Sequence, residues 1–320
     1  MKVIRFHEIG GPEVLKYEDV QAPEQSAGQV LIKVAASSVN FVDVSRRSGH
    51  APFPPGVNLP QIPGFEVSGV VESVGADVAG WSVGDQVMVR GAGSGYAEYV
   101  VATPAQLFKV PASMGLVEAA TLPTAFLTAW SAVVKAANVQ PGETVLVQAC
   151  AGGVAIALVQ VAKQAGATVI GTSSSDEKLE WAKQFGLDHG INYDTKDFVQ
   201  EVKALTDGKG VSVVFDGVGG DVLVRGLTAL QPFGRMVVYG VSGGSRTAQI
   251  VLPELWFRNL SIIGGGGGLT REEMEAVFSK FGDDTFKPTL DRTWPLEQAA
   301  EAHRYLEGRK VRGKVALTVG

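Results

Sequence analysis

The chain has 320 residues, 45% hydrophobic and 19% charged, and a formal net charge of −5. This length predicts about two domains. The acidic balance argues against a nucleic-acid surface or a polybasic membrane contact and favours small-molecule chemistry. The single cysteine excludes an intramolecular disulfide framework and a cysteine-based zinc site, and it favours a reducing compartment. Without a signal-peptide core or a bilayer-length apolar run, we expect a cytoplasmic protein.

Short apolar runs separated by turn residues fill the first hundred residues. Val, Ile and Tyr are frequent in the runs, and glycine, proline and aspartate separate them. The predicted strands cover residues 1–6, 30–39, 67–74, 86–89 and 96–101. This pattern predicts a β-rich first domain of barrel or sandwich type.

The pattern changes from about residue 116, where helix formers continue to Asn138. Strand and helix patterns then alternate, which predicts βαβ units and a parallel sheet covered on both faces. The predicted strands are 144–148, 168–172, 211–216, 236–240 and 261–263, and the first two helices are 154–164 and 177–185. A capping box at 270–273, a helix at 296–307 and a strand at 314–319 follow.

A turn of small residues joins the first strand of this second region to its helix. Gly152 holds the middle position of a G-x-G-x-x-G pattern, and Cys150 and Ala155 hold the outer two. Small residues here let a pyrophosphate approach the free N–H groups of the helix. A closely packed turn without a ligand explains the same residues, but their position in a βαβ unit favours a dinucleotide site.

The next strand ends at Thr172, where an NAD site carries an acidic residue. This chain has Ser173, Ser174 and Ser175 instead, followed by Lys178 one helical turn later. Hydroxyl groups and a cation favour the 2′-phosphate of NADP. The alternative is a capping box at 174–177 with a solvated lysine.

Ordered motifs extend over essentially the whole chain. They are VNFVD (39–43), PGFEVSGVV (63–71), VGDQV (83–87), GYAEY (95–99), LP (122–123), LTAW (127–130), GGV (152–154), INY (191–193), FDGVG (215–219) and GK (313–314). In this combination the chain resembles the zinc-independent medium-chain dehydrogenase/reductase superfamily, most closely its quinone oxidoreductase (zeta-crystallin-like) branch.

The resemblance implies an α/β fold of two domains. A β-rich, GroES-like catalytic domain would comprise residues 1–122 and 265–320, and a Rossmann domain with a doubly wound parallel sheet would comprise residues 123–264. NADPH would bind in the cleft between them, at the carboxyl ends of the strands. The resemblance also implies a homodimer formed through the Rossmann domains.

The resemblance also implies a set of site residues. Asn40, Asp43 and Thr128 would lie near the nicotinamide as catalytic residues, with Asn40 and Thr128 also contacting the cofactor. The other cofactor-binding positions would be Gly152, Gly153 and Val154 at the pyrophosphate, Ser173, Lys178 and Tyr193 at the 2′-phosphate, Gly217, Val218, Gly240 and Val241 along the cofactor, and Lys314 from the C-terminal segment.

Plainer interpretations of three of these residues stay open. Asn40 is also typical of a turn after a strand. Asp43 and Arg47 have the spacing of a helical ion pair. Tyr193 could equally be a packed aromatic residue at the sheet edge.

The zinc-dependent branch of the superfamily needs a cysteine where Asn40 stands and a histidine where Phe65 stands. The four histidines have no ligand spacing, so we expect no metal. Without a metal to stabilise an alkoxide, the expected reaction is reduction of an electron-poor substrate by NADPH.

Two departures from the branch bear on the substrate. Ser45 stands where many quinone reductases have tyrosine, and five glycines occupy 264–268, as a lid or as a simple crossover. Reduction of quinones is the first hypothesis. Reduction of activated alkenes such as enals, enones or acrylyl compounds is the alternative, and a catalytically silent NADPH-binding protein is the third.

Overall fold

The computed structural model describes residues 1–51 and 58–320. These residues form two compact units: unit 1 is Met1–Thr124 with Pro288–Gly320, and unit 2 is Ala125–Lys287. The strands in chain order are β1 (Lys2–Arg5), β2 (Lys16–Asp19), β3 (Val30–Val39), β4 (Glu66–Val74), β5 (Gln86–Arg90), β6 (Tyr99–Ala102), β7 (Leu107–Lys109), β8 (Thr144–Val147), β9 (Thr168–Ser173), β10 (His189–Asn192), β11 (Val211–Asp216), β12 (Leu230–Val238), β13 (Ser261–Gly264), β14 (Leu290–Pro295) and β15 (Lys314–Thr318).

Helices connect most of these strands in the second half of the chain. They are α1 (Phe41–Arg47), α2 (Leu116–Ala119), α3 (Leu122–Trp130), α4 (Gly153–Gln164), α5 (Asp176–Lys183), α6 (Phe198–Leu205), α7 (Gly220–Ala229), α8 (Leu252–Phe257), α9 (Arg271–Ser279) and α10 (Ala299–Glu307). A π-helical segment, Ser131–Ala136, continues α3. Within the described ranges, none of the helices has both the length and the apolar content needed to cross a bilayer.

Unit 1 is built around a seven-stranded sheet in the order β14-β15-β3-β4-β5-β7, with β6 also paired to β3. Every pair is antiparallel except β14 and β15. Val30, Ile32 and Val34 alternate with less buried residues along β3 and pack into the core on one face of the sheet. The predicted β-rich first domain is confirmed.

Unit 2 contains a six-stranded parallel sheet in the order β10-β9-β8-β11-β12-β13. Counted from β8, this is the order 3-2-1-4-5-6 of a doubly wound Rossmann sheet. All six residues of β11 are buried, as a strand covered on both faces requires. The strand order reverses between β8 and β11, so the carboxyl ends of these two strands mark the expected ligand side.

The segment 265–287 belongs to unit 2, although the resemblance assigned it to the GroES-like domain. Two aromatic residues of this segment, Phe281 and Phe286, have ring centroids 4.7 and 5.2 Å from that of Phe126. The Gln160 side chain holds Lys287 through two hydrogen bonds, one to its N–H and one to its carbonyl oxygen. These contacts explain why the second boundary falls at Lys287 and not at residue 264.

Candidate functional site

Three polar residues of unit 1 meet at one end of its sheet. Asn40 follows β3, Glu66 begins β4 and Lys314 begins β15. Both neighbouring strands run antiparallel to β3, with Val39 opposite Val315 and Ser37 opposite Val67. The end of β3 therefore lies beside the starts of β4 and β15. All three residues are buried, with exposed fractions of 8%, 0% and 5% in the same order.

The side chain of Asn40 contacts both charged residues. Its Nδ2 donates to Glu66 Oε1 at 3.0 Å and to the carbonyl oxygen of Ser38 at 3.4 Å. Its Oδ1 accepts from Lys314 Nζ at 2.5 Å. The interpretation of Asn40 as a turn residue is correct for its backbone, which caps the N-terminus of α1. The side chain belongs both to the capping box with Asp43 and to the charged cluster.

Glu66 and Lys314 form a buried ion pair with an Nζ–Oε1 distance of 3.0 Å. The second carboxylate oxygen of Glu66 accepts from the N–H of Thr124 at 2.6 Å. Burial by itself raises the pKa of Glu66, but the charge of Lys314 and the hydrogen bonds outweigh it, so the pKa lies below its ordinary 4.5. Removing one partner of such a pair typically costs about 3–5 kcal/mol.

Asp43 holds the backbone around Asn40. Its Oδ2 accepts from the N–H of Asn40 at 2.9 Å, and its Oδ1 accepts from the N–H of Gly64 at 3.2 Å. Burial raises the pKa of Asp43 to about 6, against the opposing effect of these two N–H groups. Arg47, four residues later, pairs with Glu307 of α10 at 2.6 Å.

The structure brings Lys314 to Asn40 and Glu66, while the resemblance assigned it to the cofactor. Its backbone is also fixed, since its N–H donates to the carbonyl oxygen of Thr289 at 2.7 Å. The preceding Gly313 has a φ of 82°, and a Cβ there would lie 2.0 Å from that same carbonyl oxygen. Thr128 lies on α3 in unit 2 and is half-buried.

In unit 2, the turn after β8 is tightly packed. The N–H groups of Ala149 and Cys150 donate to the hydroxyl and carbonyl oxygens of Thr172 at the adjacent strand. Cys150 is buried, and a Cβ on Gly171 would lie 2.7 Å from its Sγ. Burial raises the pKa of Cys150 to about 12. At the first glycine position of the motif, Cys150 therefore acts as a packing residue.

The first turn of α4 is open to a ligand. Gly152 is its N-cap residue and supplies no side-chain cap, so Gly153, Val154 and Ala155 keep the free N–H groups of a helix N-terminus. A Cβ on Gly152 would meet only the carbonyl oxygen of Ala149, at 3.4 Å. This cradle of small residues at the carboxyl end of β8 fits a pyrophosphate.

The residues expected at the 2′-phosphate gather at the ends of β9 and β10. Ser173 ends β9, and its carbonyl oxygen accepts from the N–H of Tyr193, just after β10, at 3.0 Å. Ser175 caps α5, accepting from the N–H of Lys178 at 3.3 Å. The expected capping box at 174–177 is therefore wrong in its residues, since the N-cap is Ser175 and its hydroxyl accepts from the backbone N–H of Lys178.

The later glycines lie together beyond the ends of β11 and β12. Gly217 accepts from the N–H and the hydroxyl of Ser242, and Val218 accepts from the N–H of Gly243. A Cβ on Gly240 would lie 3.4 Å from the Gly217 carbonyl oxygen, and Val241 lies on the same segment. These contacts bring Gly217, Val218, Gly240 and Val241 to one edge of the sheet.

Asp216, which the sequence analysis did not single out, shapes this edge. Its Oδ1 accepts from the N–H groups of Val218 and Gly219 at 3.1 and 2.7 Å. Burial raises its pKa, and the two N–H groups oppose that rise. The Asp-Gly pair before two further glycines is a turn signal that could have revealed it. In residues 1–51 and 58–320, no group of three or more His, Cys, Asp or Glu residues could hold a metal ion.

Two known protein families match this chain, one in each unit. The alcohol dehydrogenase GroES-like domain family matches residues 26–112, within unit 1. The zinc-binding dehydrogenase family matches residues 153–282, within unit 2.

Individual proteins match over the full length. A 2-haloacrylate reductase from Burkholderia sp. is 35% identical, covering 98% of this chain and 97% of its own. The structure of an NAD-dependent alcohol dehydrogenase is 34% identical with a TM-score of 0.92 and covers both chains completely. The Escherichia coli quinone oxidoreductase, solved with NADPH, is 31% identical with a TM-score of 0.90, covering 99% of this chain and 100% of its own. The chain therefore belongs to the medium-chain dehydrogenase/reductase superfamily, in its quinone oxidoreductase branch.

Proposed function

We propose that the protein is an NADPH-dependent oxidoreductase that reduces quinones without a metal. The observation that carries the proposal is the carboxyl edge of the unit 2 sheet, where the start of α4 has no side-chain cap and glycines follow β11 and β12. An acidic group at the ribose position would favour NAD, and Ser173 stands there instead. The NADPH-bound quinone oxidoreductase of similar fold supports the same choice, whereas the NAD-dependent neighbour makes cofactor preference a point to test.

The donor set of unit 1 does not fit a catalytic zinc ion. Asn40 stands at the position where the zinc-dependent branch has its cysteine, and both ends of its amide are engaged. The ammonium group of Lys314 lies 2.5 Å from Asn40 Oδ1 and would repel a metal cation. Metal-free reduction is therefore part of the proposal.

Each unit has its own task in this proposal. The N–H groups of the first α4 turn bind the pyrophosphate, and Ser173, Lys178 and Tyr193 hold the 2′-phosphate. The bound NADPH supplies the hydride. Asp43 fixes the Asn40 backbone through its Oδ2, and Asn40 orients a bound group through its Oδ1. Positioning of this kind accounts for much of the rate when the cofactor is the reagent.

Reduction of activated alkenes is the second candidate. Ser45 stands where many quinone reductases have a tyrosine near the substrate. One relative is named 2-haloacrylate reductase, and a haloacrylate is an activated alkene. A panel that pairs quinones with crotonyl and acrylyl compounds compares the two candidates directly.

The test is oxidation of NADPH by the purified protein, measured with each acceptor and repeated with NADH and with a chelator. We expect turnover with quinones, no effect of the chelator, and at least about tenfold higher efficiency with NADPH than with NADH. Lys178→Ala should reduce that preference, while Lys183→Ala, on the same helix and paired with Glu180 at 2.6 Å, should leave it unchanged. Tight NADPH binding without turnover on any acceptor would instead identify a catalytically silent binding protein.

We also propose a homodimer formed through unit 2. In the part of the chain that the structure describes, β13 pairs on one side only, with β12. Next to it in sequence, α8 has no buried residue, and Trp256 and Phe257 are 59% and 77% exposed. An edge strand beside exposed aromatic residues is the kind of surface that a second chain covers.

A further inference from the structure

We propose that Glu66 and Lys314 are positioning residues whose buried pair fixes the Asn40 side chain, so that Asn40 offers a bound molecule a single acceptor site on Oδ1. This inference rests on the proposed function, because it describes how Asn40 takes part in that reaction. It also assigns Lys314 to Asn40 and not to the cofactor.

The chemistry of the two charged groups sets the orientation of the amide. The ammonium group of Lys314 can only donate, so the Asn40 atom that it contacts at 2.5 Å must be Oδ1. The ionised carboxylate of Glu66 can only accept, so the Asn40 atom at 3.0 Å must be Nδ2. Rotating the amide by half a turn would place donor against donor and acceptor against acceptor. The pair therefore permits one orientation.

The hydrogen-bonding capacity of Asn40 is almost used up in this orientation. Both Nδ2 hydrogens have acceptors, on Glu66 and on the Ser38 carbonyl. Oδ1 has two lone pairs, and Lys314 uses one. The other lone pair faces the N–H of Asp43 in the capping box without a side-chain cap hydrogen bond, so it is the one acceptor that Asn40 can offer to an N–H or O–H group of a bound molecule. Asn40 cannot donate to the carbonyl oxygen of a substrate.

The backbone holds the pair in place. Thr124 donates to the second oxygen of Glu66, and the tight Gly313 turn fixes the start of β15 at Lys314. Asp43 fixes the Asn40 backbone from the other side. Glu66, Lys314 and the Asn40 backbone are thus each fixed within unit 1. This fixes the Asn40 side chain, as a preorganised group requires.

A double-mutant cycle on kcat separates positioning from plain structural support. Glu66→Gln combined with Lys314→Met removes both charges, so neither is left buried alone. We expect Asn40→Ala to lower kcat about tenfold in the wild-type background and less than about twofold in the charge-free background. The same loss in both backgrounds would overturn the proposal. Glu307→Gln is the matched control, because it breaks the ion pair of buried Arg47 in the same unit and should leave the full Asn40→Ala effect.

A second measurement needs no turnover and no charge-free variant. The side-chain amide signals of Asn40, identified by their loss in Asn40→Ala, should exchange slowly with solvent in the NMR spectrum of the wild-type protein. Lys314→Arg, which keeps the charge, should shift them. Fast exchange and no response to Lys314→Arg would overturn the inference. Because this result does not depend on any acceptor, it separates a failure of the inference from a failure of the proposed function.

Discussion

Asp43 is a buried carboxyl group whose environment makes the stability of the fold depend on pH. It is buried, and its pKa rises from 3.8 to about 6 in the folded protein. The folded state therefore holds the proton more tightly than the unfolded state does. The stability that this proton contributes is fully present below about pH 4 and is lost as the pH rises through about 6.

This linkage can be measured with Asp43→Asn. From pH 4 to pH 7 the free energy of unfolding of the wild type, relative to the variant, should fall by roughly 2 to 2.5 kcal/mol, since one pKa unit corresponds to about 1.4 kcal/mol and the unfolded carboxyl is already partly ionised at pH 4. Chemical denaturation of both proteins across this range provides the comparison. Parallel pH profiles would show that Asp43 titrates as it does in the unfolded chain.

Single residues also show where sequence reasoning reaches its limit. The motifs pointed to Asn40 and to Lys314 separately, yet the two lie 274 positions apart in the chain. Their contact depends on the register of β15 against β3, which a single sequence does not reveal. The contact of Glu66 with Lys314 likewise depends on strand register. A charged residue at the start of an apolar strand was the sequence signal that Glu66 has a buried partner.

Elements with strong local patterns were predicted well. β3 has the predicted bounds, Val30–Val39, because β-branched residues alternate along it. The capping box at Thr270 is present and opens α9. Several shorter elements were missed, including β7, β10, α6, α7 and α8. α7 starts at Gly220, whose φ of 55° follows a glycine at 82°, so its beginning resembles a loop in sequence.

The five glycines at 264–268, which begin at the last residue of β13, have unequal roles. A Cβ on Gly265 would lie 2.4 Å from Val237 Cγ1, whereas Gly266 has open space on that side. The segment is also tied down, because Ser131 Oγ donates to the Gly267 carbonyl oxygen at 2.6 Å. One glycine is thus required for packing, while Gly266 is free of that requirement.

Alanine substitution distinguishes these glycines. Gly265→Ala should destabilise the protein by about 1–3 kcal/mol through overpacking. Gly266→Ala should change stability by less than about 1 kcal/mol, with a gain where it reduces the freedom of the unfolded chain. Thermal and chemical unfolding measure both effects. If the segment opens and closes during turnover, Gly266→Ala also lowers kcat, whereas a fixed crossover leaves kcat unchanged.

The architecture of each unit was within reach of the sequence, since alternating strand and helix patterns specify a doubly wound sheet. The second boundary between the units, at Lys287, was not. Phe281 and Phe286 attach their segment to unit 2 through ring contacts with Phe126, and such long-range packing leaves no periodic trace in the chain.

At the scale of the whole molecule, the proposed homodimer can be tested by its mass in solution. If β13 and α8 form the interface, a charge at Phe257 must be buried there without a partner, and that cost opposes association. We expect the wild type to sediment with the mass of two chains and Phe257→Glu with the mass of one. Val83→Glu is the control, since Val83 is an exposed apolar residue of unit 1 and should leave the mass unchanged. A wild-type protein with the mass of one chain at micromolar concentration would contradict the dimer and leave the aromatic face of α8 exposed.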